Sequence, residues 1–283
     1  LVLCCMALIG FEKVNLSIFL QNILIYIVTI IAVLILDEPS ALDITLVSVI
    51  SIIFSFVLAV LCVRSSFSKA KFTANDACQE EQKITKNNFS FWLVQVCMTL
   101  MQWGVIALAG LVLSGVDVGI ISVAIRTSLV LNLVTISVNQ LYSKRFANLY
   151  FHNDLLQLRA LIKQAIIVSV TFSGPALLGV FFLADYIMSS FGDDFSGSGN
   201  VLRLLLIGQF VNSLAGPCGK VLLMSGYEDK VRNCYIISST ALFLLVPTLS
   251  IFAGVLGCAI AVSISISIQQ ILTSLLVRRY FLS

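Results

Sequence analysis

Charge is what this 283-residue chain has least of. Asp, Glu, Lys and Arg make up 11% of it against 59% hydrophobic residues, and mean hydropathy is +1.05. Soluble domains carry about a quarter charged residues, so composition excludes a water-soluble fold and indicates an integral membrane protein. Strict apolar/polar alternation is also missing. The apolar runs are continuous over about 20 residues, which rules out a closed barrel and leaves spanning helices. There is one histidine, His152, and beside Asn153 and Asp154 it reads as a solvated loop residue. The eight cysteines form no CxxC pair and seven sit in apolar runs, so buried free thiols are expected rather than zinc or disulfides. Walker, HExxH and GxSxG motifs are absent, as are paired carboxylates, so neither catalytic residues nor a cofactor is expected. No acid stands in the middle of an apolar run, which argues against a carboxylate proton relay.

What is present is a succession of spans. Apolar runs cover about 14–36, 44–63, 90–114, 117–142, 165–188, 201–225, 234–253 and 256–277, eight complete candidate helices. Residues 1–10, LVLCCMALIG, read as the tail of a further span, since the chain opens inside an apolar run without an initiating Met. Every Lys and Arg except Arg126 and Arg203 falls in one alternating set of connectors, whereas Asp37, Glu38, Asp43, Asp117, Asp185, Asp193 and Asp194 fall in the other. The positive-inside rule then places 64–89, 143–164, 226–233 and the C-terminus in the cytoplasm. The polar stretch 64–89 reads as a linker between two bundles. In 143–164, apolar residues interspersed with basic ones fit two descriptions equally, an amphipathic helix at the headgroups or a plain surface connector. FGDDFSGSGN (191–200) has the composition of a turn, and its Asp pair lacks the further ligands of a calcium loop.

Two spans carry polar residues at membrane depth. In the first, Arg126 lies nine residues beyond Asp117, roughly 14 Å along the helix. Ser128, Asn132, Thr135 and Asn139 form a stripe on another face of that helix, about 130° away. Three readings stand for Arg126: a binding group for an anionic substrate, a counter-ion to a carboxylate elsewhere, or a residue near the outer interface. In the second span Gln209, Asn212, Gly216 and Lys220 share one face with Ser213 beside them. Such a face serves either as helix-to-helix glue or as the lining of a water-filled cavity. Gly216-Pro217 interrupts the backbone ladder and is a hinge candidate, with Pro175 and Pro247 as weaker ones.

Two stretches also carry a resemblance. SGVDVGIISVAIRTSLVLNLVTISVNQLYSKRFANLYFHNDLLQLRALI (114–162) resembles the helix-loop region of polysaccharide exporters. FGDDFSGSGNVLRLLLIGQFVNSLAGPCGKVLLMSGYED (191–229) is similar to a second signature of that family, through Phe191, Gly192, Phe195, Leu202, Arg203, Gly208, Gln209, Asn212, Gly216, Pro217, Gly219, Leu222, Met224, Gly226 and Glu228. ALIGFEKVNLSIFLQNIL, near the start, is a weaker match, and Ile121 and Ser143-Lys144-Arg145 depart from the pattern. The family is the repeat-unit flippases for O-antigen and capsule, within the multidrug/oligosaccharidyl-lipid/polysaccharide exporter superfamily.

The resemblance implies an all-α, two-lobed, 12-helix transporter of the bacterial inner membrane. Residues 1–63 would be the end of the first lobe, 64–89 the inter-lobe linker and 90–283 a second lobe of six helices. It implies a non-enzymatic function, moving undecaprenyl-pyrophosphate-linked oligosaccharide across the bilayer by alternating access. The implied partners are that lipid-linked substrate, the bilayer and the polysaccharide polymerase machinery, with no nucleic acid and no metal. Candidate cavity residues are Arg126, Asn132, Asn139, Arg203, Gln209, Asn212 and Lys220. A cation-coupled drug or metabolite exporter of the same fold is the alternative, and a membrane glycan polymerase a more distant one.

Overall fold

A computed structural model describes residues 27–28, 30–31, 41–69 and 81–282. Helices and turns account for these, with no strand among the described residues. This is a helical, multi-pass membrane protein: five of its helices are long and apolar enough to cross a bilayer. The runs expected over 1–10 and most of 14–36, Cys4, Cys5, Cys78 and the middle of the 64–89 linker lie outside the described residues. The chain divides into two compact units, residues 1–79 and 80–283.

In the first unit the described element is α1 (Ala41–Lys69), whose apolar part runs Val49–Cys62. Ser51, Ser55 and Ala59, spaced four apart, form its buried face of small residues. The second unit is built from α2 (Glu81–Val112), α3 (Gly115–Phe151), α4 (Leu155–Phe182), α5 (Ala184–Ser189), α6 (Gly199–Met224) and α7 (Glu228–Val277). A single 3-10 turn, Asp193–Phe195, precedes α6, and a π-helical turn, Arg278–Leu282, ends the chain. Helix therefore continues into both ends of the 64–89 stretch, since α1 reaches Lys69 and α2 starts at Glu81.

Short polar sequences make the turns. Ser114 caps α3: its hydroxyl accepts from the Asp117 amide (3.3 Å) and donates to the Asp117 carboxylate (2.7 Å). At 37 residues α3 is about 55 Å long, far more than the ~30 Å hydrocarbon layer requires, so it continues well past the bilayer. The stretch 143–164 is consequently neither a separate headgroup helix nor a plain connector. It is the end of α3 and the start of α4, joined by the three residues His152, Asn153 and Asp154. Asn153 takes the left-handed conformation at φ 59°, which Asn tolerates, and Asp154 caps α4 by accepting from the Gln157 amide (3.1 Å). His152 is exposed. The span expected at 165–188 is shifted likewise: α4 starts at Leu155, ends at Phe182, and gives way to the separate helix α5.

α7 is a hairpin rather than one rod. The chain reverses at Ala253 and Gly254, the latter at φ 56°, and a Cβ on Gly257 would fall inside the Leu249 carbonyl. The two arms lie side by side, as the Ser265 hydroxyl donates to the Ser238 carbonyl (2.6 Å). This reversal stands where the apolar runs 234–253 and 256–277 meet.

The turns carrying Asp117, Asp185, Asp193 and Asp194 form one end of the unit, the acidic end. Those joining α3 to α4 and α6 to α7 form the basic end. Two apolar clusters fill the interior. One includes Ile121, Ala124, Met188, Leu202, Leu205 and Cys258 toward the acidic end, the other Phe146, Leu158, Ile162, Val221, Leu222 and Phe281 toward the basic end. Between them runs a belt of buried polar side chains, Ser128, Thr135, Ser169, Gln209, Ser213 and Gln270 among them. Cys97, Cys218, Cys234 and Cys258 are buried free thiols, and Cys62 is partly buried.

Candidate functional site

The amide residues marked in the sequence meet in the polar belt. Asn212 on α6 donates to Asn132 on α3 (2.9 Å) and to Gln209 one turn earlier (3.3 Å). Gln270, on the second arm of α7, donates to the side-chain oxygen Oδ1 of Asn212, and the Thr273 hydroxyl lies beside the Gln270 side-chain oxygen (3.5 Å). Three helices are thereby stitched together, and Gln270 and Thr273 join residues found by sequence reasoning. The run SISIQQ disguises Gln270, because Gln269 beside it presents an identical side chain one position round the helix. Interhelical bonds of this kind contribute about 0.6 kcal/mol each, rarely more than about 1.7, so the seam aligns the helices more than it drives their association.

The same face of α6 approaches α3 closely at Gly216, where an added Cβ would lie 2.5 Å from the Thr135 methyl. Thr135 in turn meets Ser169 on α4 (3.3 Å between hydroxyl oxygens). α6 runs unbroken through Gly216-Pro217. The Ser213 hydroxyl donates to the Gln209 carbonyl (3.1 Å) in the turn just before the proline. The register set by Asn132 with Asn212 and Thr135 with Gly216 brings Asn139 and Lys220 to about the same depth, two turns further on. There the side-chain oxygen Oδ1 of Asn139 is buried without a hydrogen-bond partner among the described residues, and Lys220 is half-buried.

Arg203 belongs to neither group. At the acidic end its guanidinium donates to Asp185 (2.6 and 3.5 Å), to Asn200 (2.9 Å) and to the Phe181 carbonyl (3.2 Å). It also lies over the Phe181 ring. These contacts tie α6 to the end of α4 and to α5. Gly199 seals the junction, since a Cβ there would collide with Asp185. Arg203 is therefore occupied in holding the helix ends together.

Arg126 is placed differently. It is exposed on the side of α3 away from the seam, and among the described residues it makes neither a salt bridge nor a hydrogen bond. Its partner is an aromatic ring: the guanidinium carbon stands 5.6 Å from the centroid of Trp103 on α2. Both residues lie roughly 14–17 Å from the acidic end of their helices, near mid-bilayer for each. Trp103 is itself 54% exposed. Tryptophan favours the headgroup level, so an open indole at this depth is unusual, although it costs far less there than the arginine.

Sequence reasoning missed Trp103 and its neighbours. Gln95, Thr99 and Gln102 lie with it on one exposed face of α2, at the helical spacing i, i+4, i+7, i+8. The signal was present in WLVQVCMTLMQW, although isolated amides in an apolar run look like ordinary interhelical glue. α2 packs chiefly on α7 and touches α3 little, so its Trp103 face opens beside Arg126.

The energies say what this face meets. A centrally placed arginine costs about 2.5–3.5 kcal/mol by insertion scales. Stacking on an aromatic ring returns about 0.5–2 kcal/mol. The remainder falls to water, an anion or protein beyond the described residues. Comparison with protein-family models, with curated proteins and with solved structures gives no match to this chain.

Proposed function

We propose that this chain is part of a flippase that carries polyprenyl-pyrophosphate-linked oligosaccharide repeat units across the bacterial inner membrane. In this reading residues 90–283 form the six-helix second lobe of a 12-helix transporter, the two arms of α7 counting separately. The observation that carries it is Arg126: a permanent cation at mid-membrane depth, exposed, with a tryptophan ring as its partner among the described residues. A guanidinium cannot release its proton and presents forked donors, which suits a pyrophosphate held by charge-assisted hydrogen bonds. The amide seam, the Gly216–Thr135 contact and the Arg203–Asp185 pair support the reading by making α3, α4, α6 and α7 one stiff body. Stiff lobes rocking about a midplane site are what alternating access requires. The basic end, with Lys144, Arg145, Lys230 and Arg232, faces the cytoplasm.

The test is surface polysaccharide display in a bacterial cell lacking its own repeat-unit flippase, supplied with the full-length gene. The wild type restores display. Arg126→Gln at matched protein level loses most of it and accumulates lipid-linked repeat units on the inner leaflet. Normal display by Arg126→Gln would remove Arg126 from substrate handling. Failure of the wild type would favour a cation-coupled exporter of the same architecture.

A further inference from the structure

We infer that Trp103 and Arg126 form one composite site for a phosphate-linked saccharide, Arg126 holding the phosphate and the open indole face of Trp103 carrying the adjoining sugar ring. The inference rests on the flippase reading and deepens it, by assigning the sugar end of the substrate to α2.

Three features of the geometry carry it. Trp103 has a cation over one face of its ring yet remains more than half exposed, so ring surface is left for a ligand. The C–H edges of a pyranose bear partial positive charge and pack on an aromatic face much as a cation does. Beyond Trp103, the exposed amides of Gln102 and Gln95 and the Thr99 hydroxyl line the same face of α2 toward the basic end. Amides and hydroxyls that both donate and accept are the groups that read sugar hydroxyls. The Thr99 hydroxyl gives its own proton to the Gln95 backbone carbonyl (2.9 Å) and keeps lone pairs that can accept, whereas the two amides find no partner in lipid and find one in a saccharide. The polarity of the site follows: phosphate at Arg126, sugars extending along α2 past Trp103.

The chain contains two tryptophans, Trp92 and Trp103, so Trp92→Phe leaves Trp103 as its sole tryptophan, excited selectively over the tyrosines at long wavelength. That variant, in lipid nanodiscs, is titrated with farnesyl pyrophosphate and with a farnesyl-pyrophosphate-linked disaccharide. Calorimetry measures affinity, and Trp103 emission and iodide quenching report on the ring. The glycosylated probe is expected to shift the emission to shorter wavelength and to shield the ring from iodide, while the bare pyrophosphate leaves it open to quencher. Trp103→Leu is expected to weaken the glycosylated probe about tenfold and the bare one less than about twofold, with Trp103→Phe recovering most of the difference. Arg126→Gln is expected to weaken both probes alike.

Equal loss of both probes in Trp103→Leu would overturn the sugar platform and reduce Trp103 to a residue that positions Arg126. Tight binding of the glycosylated probe with no change in Trp103 emission or quenching would overturn the inference and leave the flippase reading intact. Binding of neither probe would sink both.

Discussion

Two residues on one helix, Arg126 and Thr135, illustrate how position decides what a polar side chain does in a membrane. Arg126 points out of the bundle, where its partner among the described residues is the Trp103 ring. Thr135 points inward, where its methyl occupies the space Gly216 leaves by lacking a Cβ. Because protein interiors are packed without slack, Gly216→Ala must push α3 and α6 apart, and we expect a loss of about 1–3 kcal/mol. Chemical unfolding in detergent measures it, and Thr135→Ala in the same chain should restore most of the loss by clearing the contact. A double variant no more stable than Gly216→Ala alone would show that the damage comes from the backbone at Gly216-Pro217 instead.

At the scale of elements, the long helices owe their limits to a few polar residues. α3 and α4 extend beyond the bilayer as a hairpin because Asn153 accepts the left-handed turn and Asp154 caps the returning helix. Asp154→Ala removes that cap and should cost about 1 kcal/mol of stability, while Asp154→Asn, which still accepts from the Gln157 amide, should cost little. Differential scanning fluorimetry in detergent distinguishes the pair. Equal melting temperatures for Ala and Asn would mean the turn is held by the packing of Phe146, Leu158 and Ile162 alone. The Ser114–Asp117 cap closes the α2–α3 turn by the same chemistry, and Gly254 supplies the reversal that divides α7 into two arms.

The 80–283 unit as a whole is two apolar clusters joined by a polar belt, closed at the basic end by an aromatic group. There Tyr227, in the turn between α6 and α7, stacks on Tyr280 with ring centroids 4.6 Å apart and meets Tyr150 and Phe281 edge-on. A hydrogen bond with Tyr150, then burial, then the neighbouring Tyr150 and Tyr280 phenols push the Tyr227 phenol above its ordinary 10.0. The folded chain thus holds this proton more tightly than the unfolded chain does. Its contribution to stability is complete below pH 10.0 and is lost as the pH climbs through the raised value. The melting temperature should fall more steeply above that pH in wild type than in Tyr227→Phe, which keeps the ring and removes the titrating group. Parallel curves would show that other groups govern alkaline unfolding.

Composition and periodicity by themselves determined that this is a helical membrane protein, because about 20 consecutive apolar residues have one economical way to satisfy their backbone in lipid. They also marked the 253–256 reversal, the turn at 191–200 and the polar faces of α3 and α6. Tertiary structure decided which polar residue faces which neighbour, since a helical stripe fixes an angle but not the partner across it. Asn132, Gln209 and Asn212 became a seam only when the second arm of α7 brought Gln270 to them. Arg203 became a strut when α5 set Asp185 beside it, and Arg126 acquired Trp103 when α2 and α3 turned about Ser114. The run past Tyr142 reads equally as a headgroup helix or a surface connector because charged residues interrupt it, yet packing on Phe146, Leu158 and Ile162 makes it a continuation of the spanning helix well beyond the bilayer. Each of these outcomes depends on residues distant in the chain, and local pattern carries no record of them.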